Sequence, residues 1–226
     1  MNGVQTRLKC KPNVKRCKRF VFPSHSPLLH HNALTTKAIS HFQADHILTR
    51  FVFPPLDKDG NRWYLETPFA IAWSKENVQF LKTNSGKKGE GMPVVRNPQF
   101  YFREGLCWSD INTMFLKCRK KEKSIHDVKS MSIFGVSNLL SEDYIITMIN
   151  STLISHYVDN FVNNTQTFQI NDARQLPIII PTSTDDEQAK SFVSNAIKIK
   201  KGHTTNNALD VIQKEVDSYV EKIYNL

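Results

Sequence analysis

Arg96-Asn97-Pro98-Gln99-Phe100-Tyr101-Phe102-Arg103-Glu104-Gly105-Leu106-Cys107-Trp108-Ser109 concentrates aromatic and cationic side chains in one short stretch. Aromatic residues favour a pleated, half-buried surface. Glycine inside such a run punctuates it. The stretch therefore predicts strands at Gln99–Phe102 and Cys107–Trp108 on either side of a turn at Gly105. Alternation then sends one face of Phe100, Tyr101, Phe102 and Trp108 into a core and the other outward. Upstream, Ile47–Phe53 is a β-rich run stopped by Pro54-Pro55, Asp59-Gly60-Asn61 signals a turn, and Trp63–Leu65 and Phe69–Trp73 resume the extended pattern. Downstream, Met114–Cys118 predicts one more strand.

The texture becomes helical at Ser141, a good N-cap followed by Glu142 and Asp143, which suit the positive end of a helix. Ile145, Met148, Ile149, Leu153, Tyr157 and Phe161 then recur at helical spacing and predict one long helix packed on the sheet. A second helix is expected near Ala189, opened by Asp185-Asp186-Glu187, and a last one through Leu209, Ile212, Val216, Tyr219, Val220 and Ile223. The expected class is α+β: a curved β-rich layer, a long packing helix and C-terminal amphipathic helices. Residues 1–45, basic and without a sustained period, read as an arm, 46–182 as the main domain and 183–226 as a helical segment.

With 226 residues and 40% hydrophobic content, the chain can build one ordinary core with appendages. Its formal charge of +9 points to a polyanion, because each cation that neutralises a phosphate releases counterions. Basic residues crowd Arg7 to Arg19 and Lys117 to Lys123. No run approaches the ~20 apolar residues of a membrane span, and no apolar signal core follows the basic start, so a cytoplasmic protein is expected. Cys10, Cys17, Cys107 and Cys118 lack zinc-site spacing and read as reduced thiols.

Other constellations offer weaker chemistry. Gly86 to Gly91 superficially suggests a phosphate cradle, but no Lys-Ser/Thr ending and no apolar helix follow it. Lys82, Asn84, Lys87 and Lys88 in that region read better as polyanion contacts. Asp110, Asp127 and Lys129 supply the minimum of a metal-assisted phosphodiester cut, which defines the alternative of a small metal-dependent nuclease. His25, His30, His31, His41 and His46 have no regular ligand spacing.

Read together with Ser132-Ile133-Phe134, the Asn150-Ser151 step, Thr167-Phe168-Gln169-Ile170-Asn171-Asp172 and Leu176-Pro177-Ile178-Ile179-Ile180-Pro181, the Arg96 to Ser109 stretch resembles a target-recognition domain. The pattern is that of adenine-specific DNA methyltransferases of type IIG restriction-modification systems and BREX phage exclusion (PglX-like), with a TaqI-like specificity domain. The closing segment and Asp186-Glu187-Gln188 are also similar to type I specificity subunits. Asn97-Pro98-Gln99-Phe100 resembles the Asn-Pro-Pro-Tyr/Phe motif of amino-methyltransferases, but Gln99 breaks it and no glycine-rich cofactor site precedes it.

The resemblance implies double-stranded DNA as partner, together with a methyltransferase catalytic domain or subunit. S-adenosylmethionine would bind in that missing domain, with no cofactor, metal or catalytic residue in this chain. The chain is accordingly expected to be a C-terminal fragment, a split specificity subunit or a decayed gene. A structural partner subunit using the apolar helical faces is the remaining alternative. The expected DNA contacts are Lys82, Asn84, Lys87, Lys88, Arg96, Arg103, Lys117, Arg119, Lys120, Lys121 and Lys123, on loops around 83–96 and 117–123. Phosphate contacts would set register and base-edge contacts would specify sequence.

Overall fold

The computed structural model describes residues 20–21, 48–52, 62–65, 69–88, 95–112, 114–126, 130–202 and 206–226. Their elements, in chain order, are β1 (Phe20–Val21), β2 (Leu48–Val52), β3 (Phe69–Ala72), α1 (Lys75–Asn84), β4 (Gly105–Ser109), β5 (Cys118–Lys121), β6 (Ile125–His126), β7 (Ser130–Ile133), α2 (Glu142–Ile149), α3 (Thr152–Tyr157), α4 (Ile170–Ala173), α5 (Ser183–Lys201) and α6 (Asn206–Ile223). The class is α+β. None of the described helices is long and apolar enough to cross a membrane. The expectations for the arm at 1–45 apart from Phe20–Val21, which pair with β3, and for Pro54-Pro55, the Asp59-Gly60-Asn61 turn, Gly89 and Gly91, Asp127 and Lys129, the five N-terminal histidines, and Cys10 and Cys17 fall outside the described residues.

Two compact units divide the chain. The first comprises residues 1–52, 67–101 and 124–128. Its strands run in the order β1-β3-β2-β6, antiparallel except for the β2–β6 pair. Helix α1 starts where the Ser74 hydroxyl accepts from Asn77 N at 3.3 Å, and it buries no residue. This helix corrects the expected loop, since Lys82 and Asn84 sit in its last turn. The strand expected at Gln99–Phe102 is also absent. Asn97 takes a left-handed conformation (φ 49°) and Pro98, with its fixed φ, opens a 3-10 turn over Pro98–Phe100. Tyr101 meets Trp73 and His126 edge-on, with centroids 5.9 and 4.9 Å apart.

The second unit comprises residues 53–66, 102–123 and 129–226. Its sheet is antiparallel, in the order β5-β4-β7. Gly105 begins β4 rather than forming the expected turn, and the chain bends before it at Phe102 (φ 61°). The strand expected over 114–118 starts only at Cys118. One face of the sheet carries Leu106, Trp108, Cys118, Met131 and Ile133 into a core with Tyr144, Ile146, Met148, Ile149, Ile154, Phe168, Phe192, Val193, Val216 and Val220.

Helix α2 has the predicted Ser141 cap, whose hydroxyl accepts from Tyr144 N at 3.1 Å. The long helix expected beyond it is interrupted. Asn150 closes α2, Ser151 turns extended (ψ 151°) and caps α3, and a π-turn follows over Val158–Val162. Asp217 from α6 accepts from the backbone and hydroxyl of Thr152 at 2.7 and 2.9 Å, holding a carboxylate at the start of α3. Phe161, expected on the packed face, is 78% exposed because the π-turn rotates it away. Helix α5 begins six residues before Ala189, where Thr182 and Asp185 exchange capping bonds.

The Thr167 to Asp172 segment docks on the end of β4. Phe168 N donates to Asp110 O at 2.8 Å, and Trp108 Nε1 donates to Phe168 O at 2.8 Å. The two rings lie 5.3 Å apart and both are buried. Asp172 turns back to accept from Gln169 N at 2.8 Å and from Asn163 at 3.1 Å, which accounts for the Phe-Gln-x-x-Asp pattern. In the apolar run that follows, Leu176 and Ile178 pack against the core while Pro177 and Ile179 face outward.

Candidate nucleic-acid interface

The expected contact residues divide between the two units. In the first, Lys82 is exposed on α1, and Lys87 and Lys88 are exposed in the turn that follows. Asn84 donates to Phe80 O at 2.8 Å and accepts from Lys87 Nζ at 3.2 Å, so its amide is engaged in closing the helix. Arg96 is exposed immediately before the 3-10 turn.

In the second unit the basic run from Lys117 to Lys123 forms strand β5 and its ends, and this corrects the expected solvent loop. Strand alternation sorts it. Arg119 and Lys121 point to one face and are 2% and 3% exposed, while Lys120 points to the other side and is exposed. Lys121 Nζ donates to Arg103 O at 2.9 Å and lies 5.4 Å from the Phe134 ring centroid. Burial pulls its pKa down. Arg103, exposed, approaches the same ring at 6.0 Å. Lys117 is half-buried and Lys123 exposed.

Lys120 binds the Asp143 carboxylate at 2.9 Å and marks one wall of a groove. The groove, about 350 Å³, is lined by Lys120, Asp143, Lys190, Val193, Ser194, Ile197, Lys198 and Lys201. Lys190, Lys198 and Lys201 come from α5 and were missed by reading the sequence. Their signal is positional. Residues 190, 194, 197, 198 and 201 share one helical stripe, beside the buried stripe of Ala189, Phe192, Val193 and Ala196. Lys201 also stands over the Tyr64 ring at 4.8 Å. Four ammonium groups against one carboxylate make this groove cationic, suited to an extended polyanion.

The nuclease constellation is not assembled among the described residues. Asp110 is 7% exposed with its main chain holding Phe168, and Asp127 and Lys129 lie outside them. Among the described residues no group of three His, Cys, Asp or Glu side chains is arranged to hold a metal ion. Cys107 and Cys118 are buried free thiols whose pKa values burial pushes up, so neither is a ready nucleophile. No protein-family model matches the chain, and no curated protein matches it.

Proposed function

We propose that this chain is a sequence-specific double-stranded DNA recognition module serving an adenine-specific methyltransferase of the restriction-modification or BREX phage-exclusion type. In this reading a curved, β-rich recognition layer meets the duplex in the cytoplasm. A separate catalytic domain or subunit flips the adenine and transfers the methyl group from S-adenosylmethionine. The observation that carries DNA binding is the cationic groove of Lys120, Lys190, Lys198 and Lys201. The methyltransferase connection rests on the sequence resemblance from Arg96 through Pro181.

Duplex binding measured by fluorescence anisotropy across a salt series tests the first part. Affinity should fall linearly on logarithmic axes, and Lys190→Ala with Lys198→Ala together should lower the slope by about two. A slope near zero, or one indifferent to the double substitution, overturns the groove as the DNA surface. For readout, Arg96→Ala should cost about 1–3 kcal/mol on a cognate site and relax preference at one base pair, if Arg96 grips a guanine edge. Selection from a randomised duplex pool measures it. Co-purification with neighbouring gene products tests whether a methyltransferase subunit is supplied in trans.

A further inference from the structure

On β4, β5 and β7 the residues that do not face the helical core form a second, polar face. The register puts Arg119, Cys107 and Ser132 in one row across the three strands, with Ser109 opposite Ser130 in the next. Partners in an antiparallel pair lie about 5 Å apart with side chains on the same side, so these groups are neighbours. The middle strand offers only the small residues Gly105, Cys107 and Ser109 here, beside the long side chains of Arg119 and Lys121 on the neighbouring strand.

This face is shielded from water and electrostatically incomplete. Arg119 is 2% exposed, and both terminal nitrogens of its guanidinium lack a hydrogen-bond partner. The hydroxyls of Ser109 and Ser132 are likewise buried and unpartnered, and that of Ser130 has only the weakly bonding Cys107 thiol beside it. Lys121 lies on the same face, with its ammonium already donating to the Arg103 and Glu122 carbonyls. A guanidinium removed from water without a counter-charge is strongly disfavoured. Its planar donor fork matches an oxyanion, and hydroxyls supply further donors to the same ligand.

We propose that this polar sheet face binds an oxyanion of the phosphate class, gripped by Arg119 with Ser109, Ser130 and Ser132. The phosphate is either free inorganic phosphate or a nucleic-acid phosphodiester. The site is separate from the lysine groove, since Arg119 and Lys120 lie on opposite faces of β5, so binding of inorganic phosphate should be independent of Lys190 and Lys198.

Thermal unfolding of the full chain provides the test, in chloride buffer at matched ionic strength with inorganic phosphate added in one arm and a short duplex in the other. Inorganic phosphate should raise the midpoint by about 5 °C or more once it exceeds its dissociation constant a hundredfold. Arg119→Met, which keeps the stem and removes the charge, should lose that response and unfold no lower than wild type in chloride alone. Should Arg119→Met fail to fold, Ser109→Ala with Ser132→Ala should weaken phosphate binding by about a hundredfold or more, because two hydrogen bonds to a charged ligand are removed. A response to phosphate alone identifies the free ion. An Arg119-dependent response to the duplex as well identifies a nucleic-acid phosphate. Absence of any response in the wild type, or an equal response in Arg119→Met, overturns the site.

Discussion

Asn150 clasps the backbone of Cys118: its Oδ1 accepts from Cys118 N at 2.7 Å and its Nδ2 donates to Cys118 O at 2.9 Å. A fully buried side-chain amide thus serves as the missing neighbour strand for β5. It can do so because α2 stops at this residue, and Gln213 takes up the Asn150 carbonyl at 3.0 Å. Asn150→Ala should destabilise the fold by about 1–3 kcal/mol, the cost of a buried N–H left without a partner. The Cys118 carbonyl would keep its bond from Trp63 N at 2.9 Å, so the loss falls on the amide alone. Urea midpoints of the two proteins measure it, and equal midpoints would show that the clasp contributes nothing.

Phe168 is the hydrophobic anchor of the segment that returns to β4. It is 1% exposed and stacks obliquely on Trp108. Phe168→Ala should cost about 3–5 kcal/mol, the range for emptying an aromatic site that cannot collapse. Its main-chain bonds to Trp108 and Asp110 do not involve the ring, so the loss reports packing. Thermal unfolding compares the two.

Gly105 is required by proximity. A Cβ there would collide with the Ile133 carbonyl oxygen and crowd the Phe134 ring at 3.2 Å. The obstacle is backbone of the paired strand, which cannot rotate away. Gly105→Ala should therefore destabilise by about 1–3 kcal/mol, the scale of overpacking, although alanine is the smaller change in every other respect. Hydrogen exchange should accelerate first along β4 and β7. Unchanged protection there would contradict this.

Burial raises the pKa of three phenols at the helical core: Tyr144 to about 12, Tyr224 to about 12, and Tyr219 further, with Asp185 adding repulsion. Tyr219 donates to Asp185 Oδ1 at 3.2 Å and Tyr224 to Pro177 O at 2.6 Å, bonds that a phenolate cannot make. Since the unfolded chain loses these protons first, near pH 10, it binds fewer protons than the native state above that pH. Stability should be indifferent to these groups below pH 10 and fall as pH rises from 10 to 12. Urea midpoints at pH 9, 10 and 11 measure the fall, and Tyr144→Phe should make it shallower. A steeper or identical fall in the variant would remove Tyr144 from the set.

Local sequence determined the parts of this protein whose causes lie within a few residues. The Ser141 cap and the amphipathic α6 with Ile212, Val216 and Val220 inward follow from short-range pattern. Tertiary structure decided the rest. Six consecutive basic or polar positions gave no sign that Arg119 and Lys121 would be buried, because burial of a strand's second face depends on chain distant in sequence. The break at Asn150 was hidden inside a good helical period, since only the backbone of Cys118, 32 residues away, gives the side chain its partners. Lys120 joins Lys190, Lys198 and Lys201 only because α5 packs beside the β5 end of the sheet and α2. Composition gives the excess of cations, but which of them share a surface is set by strand alternation and helix packing, and neither is written in any single stretch.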